Sequence, residues 1–249
     1  MKKLIIANNK MNMVADEAKT YFTKLVAKAS TVNADVVICP SFTSLPVANF
    51  ITEGSEIKLG AQNVSDEELG AFTGEVNAEM LKSVGAEYVI VGHSERRNKF
   101  KETDKLINKK IKMSLKHGLK IIYCVGESLV EKNTMKTEAT IRKQIEEGLK
   151  GLYENELESV VIAYEPVWAI GTGVTATPKD VELGATVIRN AIQNLYSDKA
   201  AKEIQVVYGG SLNDKNFQTI LNIKGIDGGL FGGISLNVDS FLYIINNLK

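Results

Sequence analysis

Three side chains in this sequence have a type and position suited to moving a proton next to a carbonyl group. Glu165 directly follows an apolar run over residues 160–164 and is followed by Pro166. We expect its carboxylate at the mouth of a site, partly desolvated and on a backbone stiffened by proline, which suits a general base. For an isolated glutamate, the alternative is an ordinary solvated side chain at a strand end.

His93 and Lys10 are the other two candidates. His93 ends an apolar run and precedes Ser94-Glu95-Arg96-Arg97. If a helical turn begins there, its dipole disfavours the imidazolium, and a neutral ring can polarise a carbonyl or relay protons. Lys10 lies just beyond the first apolar run, where a cation could hold a phosphate and a developing oxyanion. A structural histidine and a solvated lysine are the alternatives.

The second histidine, His117, precedes Gly118 in the last turn of a predicted helix, and we assign it no chemistry. Two histidines so placed argue against a zinc site, so no metal is expected.

Three glycine clusters follow apolar runs: Gly171-Thr172-Gly173, Gly209-Gly210-Ser211 and Gly232-Gly233. Glycines let backbone N–H groups approach an anion closely, which predicts a phosphate site. The first cluster also fits a loose dinucleotide-binding fingerprint. That fingerprint requires its glycines directly after the strand and an acidic residue about 20 positions later. Neither condition is met here, so no dinucleotide cofactor is predicted.

The elements that must position these residues form a regular series. Apolar runs rich in Val, Ile and Tyr occur at 4–7, 35–39, 58–61, 88–91, 120–125, 159–164, 205–208 and 229–232. Most are continuous, as in strands buried on both faces of a parallel sheet. Helical patterns lie between them, including 15–30, 103–117, a helix from Thr177-Pro178 to about 196, and a last helix beginning at Asn237.

Eight strands alternating with eight helical segments, with no linker, predict one α/β domain over residues 1–249. A closed barrel and an open doubly wound sheet both fit this alternation. Eight even units in about 250 residues favour the (β/α)₈ TIM barrel. In either topology, the candidate residues follow the carboxyl ends of strands, where the active sites of both folds are found.

Composition narrows the function classes. Apolar residues make up 44% of the chain, and 30 basic residues balance 30 acidic ones. This balance argues against nucleic acid or an anionic membrane as the main partner. The apolar segment after Met1-Lys2-Lys3 is too short for a signal peptide, and no run reaches the length of a membrane span. Cys39 and Cys124 lie in strand-like runs and are expected as buried thiols. We therefore expect a soluble, cytoplasmic protein.

Taken together, these motifs resemble the triosephosphate isomerase family over essentially the whole chain. The matching segments, in order, are Asn8-Asn9-Lys10-Met11-Asn12, Gly60-Ala61-Gln62-Asn63, Gly70-Ala71-Phe72-Thr73-Gly74-Glu75, Val91-Gly92-His93-Ser94-Glu95-Arg96-Arg97, Cys124-Val125-Gly126-Glu127, Ala163-Tyr164-Glu165-Pro166-Val167-Trp168-Ala169-Ile170-Gly171-Thr172-Gly173, Tyr208-Gly209-Gly210-Ser211 and Phe231-Gly232-Gly233.

The resemblance implies an aldose–ketose isomerase of glycolysis and gluconeogenesis, interconverting dihydroxyacetone phosphate and D-glyceraldehyde 3-phosphate through an enediolate, without cofactor or metal. Its substrate would be a small phosphorylated three-carbon compound. The resemblance further implies a mobile lid over residues 166–176 and a homodimer in which Thr73 reaches the partner subunit. The implied roles are Glu165 as base, His93 as neutral electrophile, Lys10 as cation, Asn8 and Glu95 as positioning and substrate-binding groups, and Gly171, Ser211, Gly232 and Gly233 as phosphate-binding groups.

Three positions depart from the family pattern. Asn9 stands where tryptophan is usual, Ser65 where an aromatic residue is usual, and Val174 where lysine is usual. Two rival interpretations remain open at this stage. One is a phosphate-binding barrel enzyme for a bulkier sugar or indole phosphate, which would need a wider pocket. The other is a non-catalytic metabolite-binding relative, which would not need a base.

Overall fold

The strands of this chain follow the predicted apolar runs closely. A computed structural model describes residues 2–29, 34–171 and 174–248. Its strands are β1 Lys3–Asn8, β2 Ala34–Cys39, β3 Ile57–Ala61, β4 Ala86–Val91, β5 Lys120–Val125, β6 Val160–Tyr164, β7 Gln205–Tyr208 and β8 Gly228–Phe231. The predicted boundaries differ by up to two residues. Ser159, for example, ends a 3₁₀ turn (Glu154–Ser159) instead of opening β6.

Strand pairing decides between the two predicted topologies. Each strand pairs in parallel with its neighbours in chain order, and β8 pairs in parallel with β1 to close the sheet. The closing register places Leu4 opposite Gly228 and Ala7 opposite Phe231. The predicted (β/α)₈ barrel is therefore confirmed, and the open doubly wound sheet is excluded.

The continuous apolar character of the strands follows from burial on both faces. Alternate residues such as Ile6, Ile90 and Leu230 fill the inside of the barrel. Their neighbours, such as Ile5 and Val89, pack outward against the helices. Because both faces exclude water, no alternation of apolar and polar residues is needed along these strands.

The helices surround the barrel. They are α1 Ala15–Lys28, α2 Leu45–Thr52, α3 Ala78–Ser83, α4 Ser94–Lys99, α5 Asp104–Lys116, α6 Leu129–Asn133, α7 Thr137–Gly148, α8 Pro178–Leu195, α9 Asp198–Glu203, α10 Phe217–Leu221 and α11 Val238–Asn246. Several connections carry two helices where the sequence pattern predicted one segment.

Helix ends agree with the capping signals in the sequence. Thr177 caps α8 by accepting a hydrogen bond from the Asp180 N–H, and Pro178 occupies the first helical position. Asn237 caps α11 through the Ser240 N–H. The prediction carried α1 to residue 30, whereas α1 ends at Lys28 and Ser30 lies outside the described residues. In the part of the chain that the structure describes, no helix is long and apolar enough to cross a membrane.

Candidate active site

The predicted site residues meet at one end of the barrel. Asn8 ends β1, His93 and Glu165 follow β4 and β6 closely, and Ser211 and Gly232 follow β7 and β8. They line a cavity of about 390 Å³ together with Lys10, Ile170, Gly171, Gly209, Gly210, Leu212, Leu230, Gly233 and Ile234. Parallel strands in a barrel bring all their carboxyl ends to one rim, so residues far apart in the chain become neighbours.

Glu165 is almost fully enclosed at the base of this cavity, with 2% of its surface exposed. Its Oε2 accepts a hydrogen bond from the Ser94 backbone N–H at 3.0 Å. Its Oε1 lies 3.1 Å from His93 Nε2 but accepts no well-aligned hydrogen bond from the described residues. One carboxylate oxygen is thus anchored, and the other retains a free lone pair with which to accept a proton.

Two glycines allow Glu165 to lie this deep. A Cβ added to Gly126 would come within 1.8 Å of the Glu165 carbonyl oxygen, and one added to Gly209 would come within 2.8 Å of the Glu165 Cγ. Neither distance is compatible with a side chain at these positions. The glycines therefore set the depth of the carboxylate by permitting close approach.

His93 precedes α4 as its N-cap residue, so the helical turn considered in the sequence analysis is present. Its Nδ1 accepts a hydrogen bond from the Glu95 backbone N–H at 3.2 Å, which requires a lone pair on Nδ1. Any proton of the neutral ring is then on Nε2, the nitrogen facing Glu165. Burial lowers the pKa of His93, but the facing Glu165 carboxylate outweighs this and raises the pKa while the two groups are in contact. The Glu95 carboxylate raises the pKa of His93 as well.

Lys10 is held over the cavity by three neighbours. Its Nζ lies 2.7 Å from Glu95 Oε1, its backbone N–H donates to Asn8 Oδ1 at 2.9 Å, and its carbonyl accepts from Gln62 Nε2 at 2.8 Å. Lys10 has a φ of 53°, in the left-handed region that non-glycine residues seldom adopt. These contacts hold the backbone in this conformation and keep the ammonium group at the cavity wall.

The glycine turns form another part of the cavity wall. Gly171, Ser211, Gly232 and Gly233 all line the cavity, and Gly233 opens a 3₁₀ turn (Gly233–Leu236). Among the described residues that line it, Lys10 is the only cation and Glu165 the only carboxylate. Lys10, the Ser211 hydroxyl and the glycine backbone N–H groups therefore share one cavity, which suits a phosphate group.

The segment after Glu165 is anchored at its start. Val167–Ala169 form a 3₁₀ turn, and Trp168 Nε1–H donates to Glu127 Oε1 at 2.7 Å. The Lys132 ammonium lies 3.4 Å from the centre of the Trp168 ring. Burial raises the pKa of Glu127 despite the bonds from Trp168 and Tyr164. Of the predicted lid, residues 172 and 173 lie outside the described residues.

Sequence reasoning missed two kinds of site residue. It did not assign the Ser94 N–H to Glu165, although a helix start after His93 signals free backbone donors. It also overlooked Leu212, Leu230 and Ile234, apolar lining residues whose types are indistinguishable from those of the core.

In the described part of the chain, no group of three His, Cys, Asp or Glu side chains is placed to hold a metal ion. Cys39 and Cys124 are buried free thiols.

Comparison with known proteins supports the same interpretation. The family model described as "Triosephosphate isomerase" matches residues 3–248. A triosephosphate isomerase of Clostridium tetani is 46% identical over 247 residues, which cover 99% of this chain and 97% of the relative. The corresponding proteins of Treponema denticola and Alkaliphilus metalliredigens are 48% and 45% identical, with at least 98% of each chain covered. This chain belongs to the triosephosphate isomerase family.

Proposed function

We propose that Glu165, His93 and Lys10 carry out the reaction of this family, the interconversion of dihydroxyacetone phosphate and D-glyceraldehyde 3-phosphate. One observation carries the assignment: the unanchored Oε1 of Glu165 lies 3.1 Å from His93 Nε2, in a cavity that Lys10 and the glycine turns also line. A base, a hydrogen-bond donor and an anion site thus share one small space. The metabolite-binding alternative does not account for an enclosed carboxylate with a free lone pair.

The proton steps follow from this geometry. Glu165 Oε1 takes a proton from the carbon next to the substrate carbonyl, and the electrons of that C–H bond form the enediolate. His93 donates its Nε2 hydrogen bond to the developing oxyanion, and Lys10 stabilises the negative charge. His93 relays the proton of the neighbouring hydroxyl group to this oxyanion, which moves the negative charge to the other oxygen. Glu165 then returns its proton to the former carbonyl carbon, and the carbonyl re-forms at the carbon that lost the proton. Asn8 and Glu95 position Lys10 and contact the substrate. No electrons leave the substrate, so the reaction requires no redox cofactor.

The phosphate group is proposed to bind the backbone N–H groups of Gly171, Ser211, Gly232 and Gly233. The cavity volume of about 390 Å³ supports a small substrate. It lies near the lower limit of ligand pockets, which span roughly 300–1,000 Å³. The rival substrate classes, bulkier sugar and indole phosphates, would need a wider pocket.

Direct detection of the two triose phosphates by NMR tests this proposal. The purified chain is expected to convert glyceraldehyde 3-phosphate to dihydroxyacetone phosphate without added cofactor, even after exhaustive treatment with a metal chelator. Inorganic phosphate should inhibit competitively because it occupies the glycine turns. Absence of turnover, or a requirement for an added nucleotide or metal, would contradict the proposal.

A homodimer belongs to the same proposal. A second cavity, of about 270 Å³, opens beside the site and is lined by residues including Lys10, Met11, Glu95 and Phe100. Met11 is 94% exposed and Phe100 is 64% exposed. Exposed apolar side chains around a cavity are typical of a subunit interface. The exposed loop 70–75, with Thr73 near its tip, is the proposed occupant from the partner subunit.

We expect light scattering to show a dimer for the native chain and dissociation for Thr73→Arg. An arginine at this position would bring a second cation towards Lys10 and would not fit the cavity. The matched control, Thr219→Arg on the exposed face of α10, should remain dimeric. A fully active monomer of the native chain would refute the interface.

The domain assignment and the location in the cell are further parts of the proposal. The barrel uses the strands from residue 3 to residue 231, which supports a single domain over residues 1–249. A cytoplasmic location is supported by the place of the family reaction in central metabolism. Fractionation of the source cells would test it.

A further inference from the structure

Asn9, one of the three departures from the family pattern, is a buried polar residue whose groups are almost fully engaged. Only 1% of its surface is exposed. Its backbone N–H donates to the Cys39 carbonyl at 3.1 Å, and its carbonyl accepts from Asn12 Nδ2 at 2.7 Å. Its side-chain Nδ2 donates to Ser235 Oγ at 3.4 Å. Asn9 thus connects the loop after β1 with the turn after β8.

The direction of these hydrogen bonds is determined by Ser235. The Ser235 hydroxyl donates to the Gly232 carbonyl at 2.7 Å, so its oxygen must act as acceptor towards Asn9. The Asn9 amide therefore presents Nδ2 to Ser235 and turns Oδ1 away. On that side, neither the buried Tyr21 hydroxyl nor Asn9 Oδ1 makes a well-aligned hydrogen bond among the described residues. Burial raises the pKa of Tyr21, and the nearby Asn9 side chain opposes this increase.

The far end of this chain of bonds is a phosphate-binding peptide. The Gly232 carbonyl accepts from both the hydroxyl and the backbone N–H of Ser235, the latter at 2.9 Å. The Gly232 carbonyl and the Gly233 N–H belong to one planar peptide unit and point in opposite directions. Holding the carbonyl towards Ser235 therefore directs the Gly233 N–H away from it, on the side of the peptide where an anion would be held.

The other end of this series of hydrogen bonds lies at Asn9, which directly precedes Lys10 in the sequence. The left-handed backbone of Lys10 makes its position sensitive to how the preceding residue is held. A Cβ built on Gly232 would lie only 3.5 Å from Lys10 Cε, so the two phosphate-binding elements are neighbours. The hydrogen bond from Asn9 to Ser235 links the loop that carries Lys10 to the turn that carries Gly232.

We propose that Asn9 is a positioning residue that, through Ser235, holds Lys10 and the Gly232–Gly233 peptide at the separation that phosphate requires. This inference rests on the proposed function, because that proposal places phosphate at Gly232 and Gly233. Asn9 itself touches neither the substrate nor the reacting atoms. Its contribution lies in binding and not in proton transfer.

The test uses Asn9→Leu and Ser235→Ala, singly and together, in the full chain. Loss of one such hydrogen bond should raise both KM and the inhibition constant of inorganic phosphate by the same factor, roughly five- to tenfold. We expect kcat to change by less than about threefold, since proton transfer is unaffected. Because Asn9 reaches the Gly232 carbonyl only through the Ser235 hydroxyl, the KM of the double variant should be no higher than that of the more impaired single variant.

Ser114→Ala is the matched control, because it removes a buried hydroxyl on α5 that does not line the cavity. It should leave KM and phosphate inhibition unchanged. Ser235→Ala removes only one oxygen atom and retains the Ser235 N–H bond to Gly232, so it tests the inference even if Asn9→Leu does not fold.

Three outcomes would overturn the inference. One is an unchanged KM accompanied by a lower melting temperature, which would indicate a structural role only. The second is a fall in kcat with unchanged phosphate inhibition. The third is additive effects of the two substitutions. A different result would contradict the proposed function itself. If the native chain turns over the substrate but inorganic phosphate does not inhibit it competitively, the proposed phosphate site is wrong, whatever the role of Asn9.

Discussion

Replacement of Glu165 by glutamine is expected to lower kcat by about three orders of magnitude, within the range that general-base catalysis contributes. Glutamine retains the shape of the side chain and an oxygen that can accept the Ser94 N–H bond. It cannot take up a proton from carbon at neutral pH. In the described part of the cavity, no other carboxylate is available to replace it.

Steady-state kinetics with glyceraldehyde 3-phosphate will measure this loss, and circular dichroism with thermal unfolding will show whether the fold is retained. Glu147→Gln, an exposed glutamate on α7, is the control and should behave as the native chain does. Hydrogen exchange between solvent and the substrate carbon should slow in parallel with kcat. Near-native turnover of a well-folded Glu165→Gln protein would refute the assignment of the base.

Replacement of Lys10 by methionine should reduce kcat/KM by about 10²–10³-fold, comparable to the loss of one oxyanion-stabilising donor. Methionine retains most of the length of the side chain and removes the cation. The Glu95 carboxylate, which pairs with Lys10 at 2.7 Å, would then remain beside the site without that partner. Its negative charge would repel both the phosphate and the enediolate, so binding and turnover should decline together.

The inhibition constant of inorganic phosphate separates these two contributions. If Lys10 binds phosphate, inhibition should weaken; if it acts on the oxyanion alone, only kcat should fall. Lys202→Met, an exposed lysine on α9, controls for the change in net charge. A Lys10→Met protein with native kcat and native phosphate inhibition would remove Lys10 from both roles.

The periodicity of the sequence was sufficient to locate the elements of the fold. The apolar runs predicted every strand to within two residues, because burial on both faces requires continuous apolar sequence. Capping signals such as Thr177-Pro178 located helix starts, because capping is a local interaction between neighbouring residues. Residue type at the strand ends identified Glu165, His93 and Lys10 as candidates, and the structure brings all three to one cavity.

Closure of the sheet was not determined by the alternation of strands and helices. A barrel and an open doubly wound sheet bury the same runs, and they differ in strand order and in whether β8 pairs with β1. That pairing joins residues at opposite ends of the chain, which local sequence patterns do not describe.

The detailed geometry of the site was likewise decided by tertiary structure. Glu165 Oε2 is held by a backbone N–H 71 residues away, which leaves Oε1 as the proposed proton acceptor. Asn9 meets Ser235 across 226 residues, although in sequence it was only a departure from a family pattern. Sequence determined which groups stand at the ends of the strands. Their mutual distances depend on barrel closure and on the close approach allowed at Gly126 and Gly209, because packing between distant segments sets them.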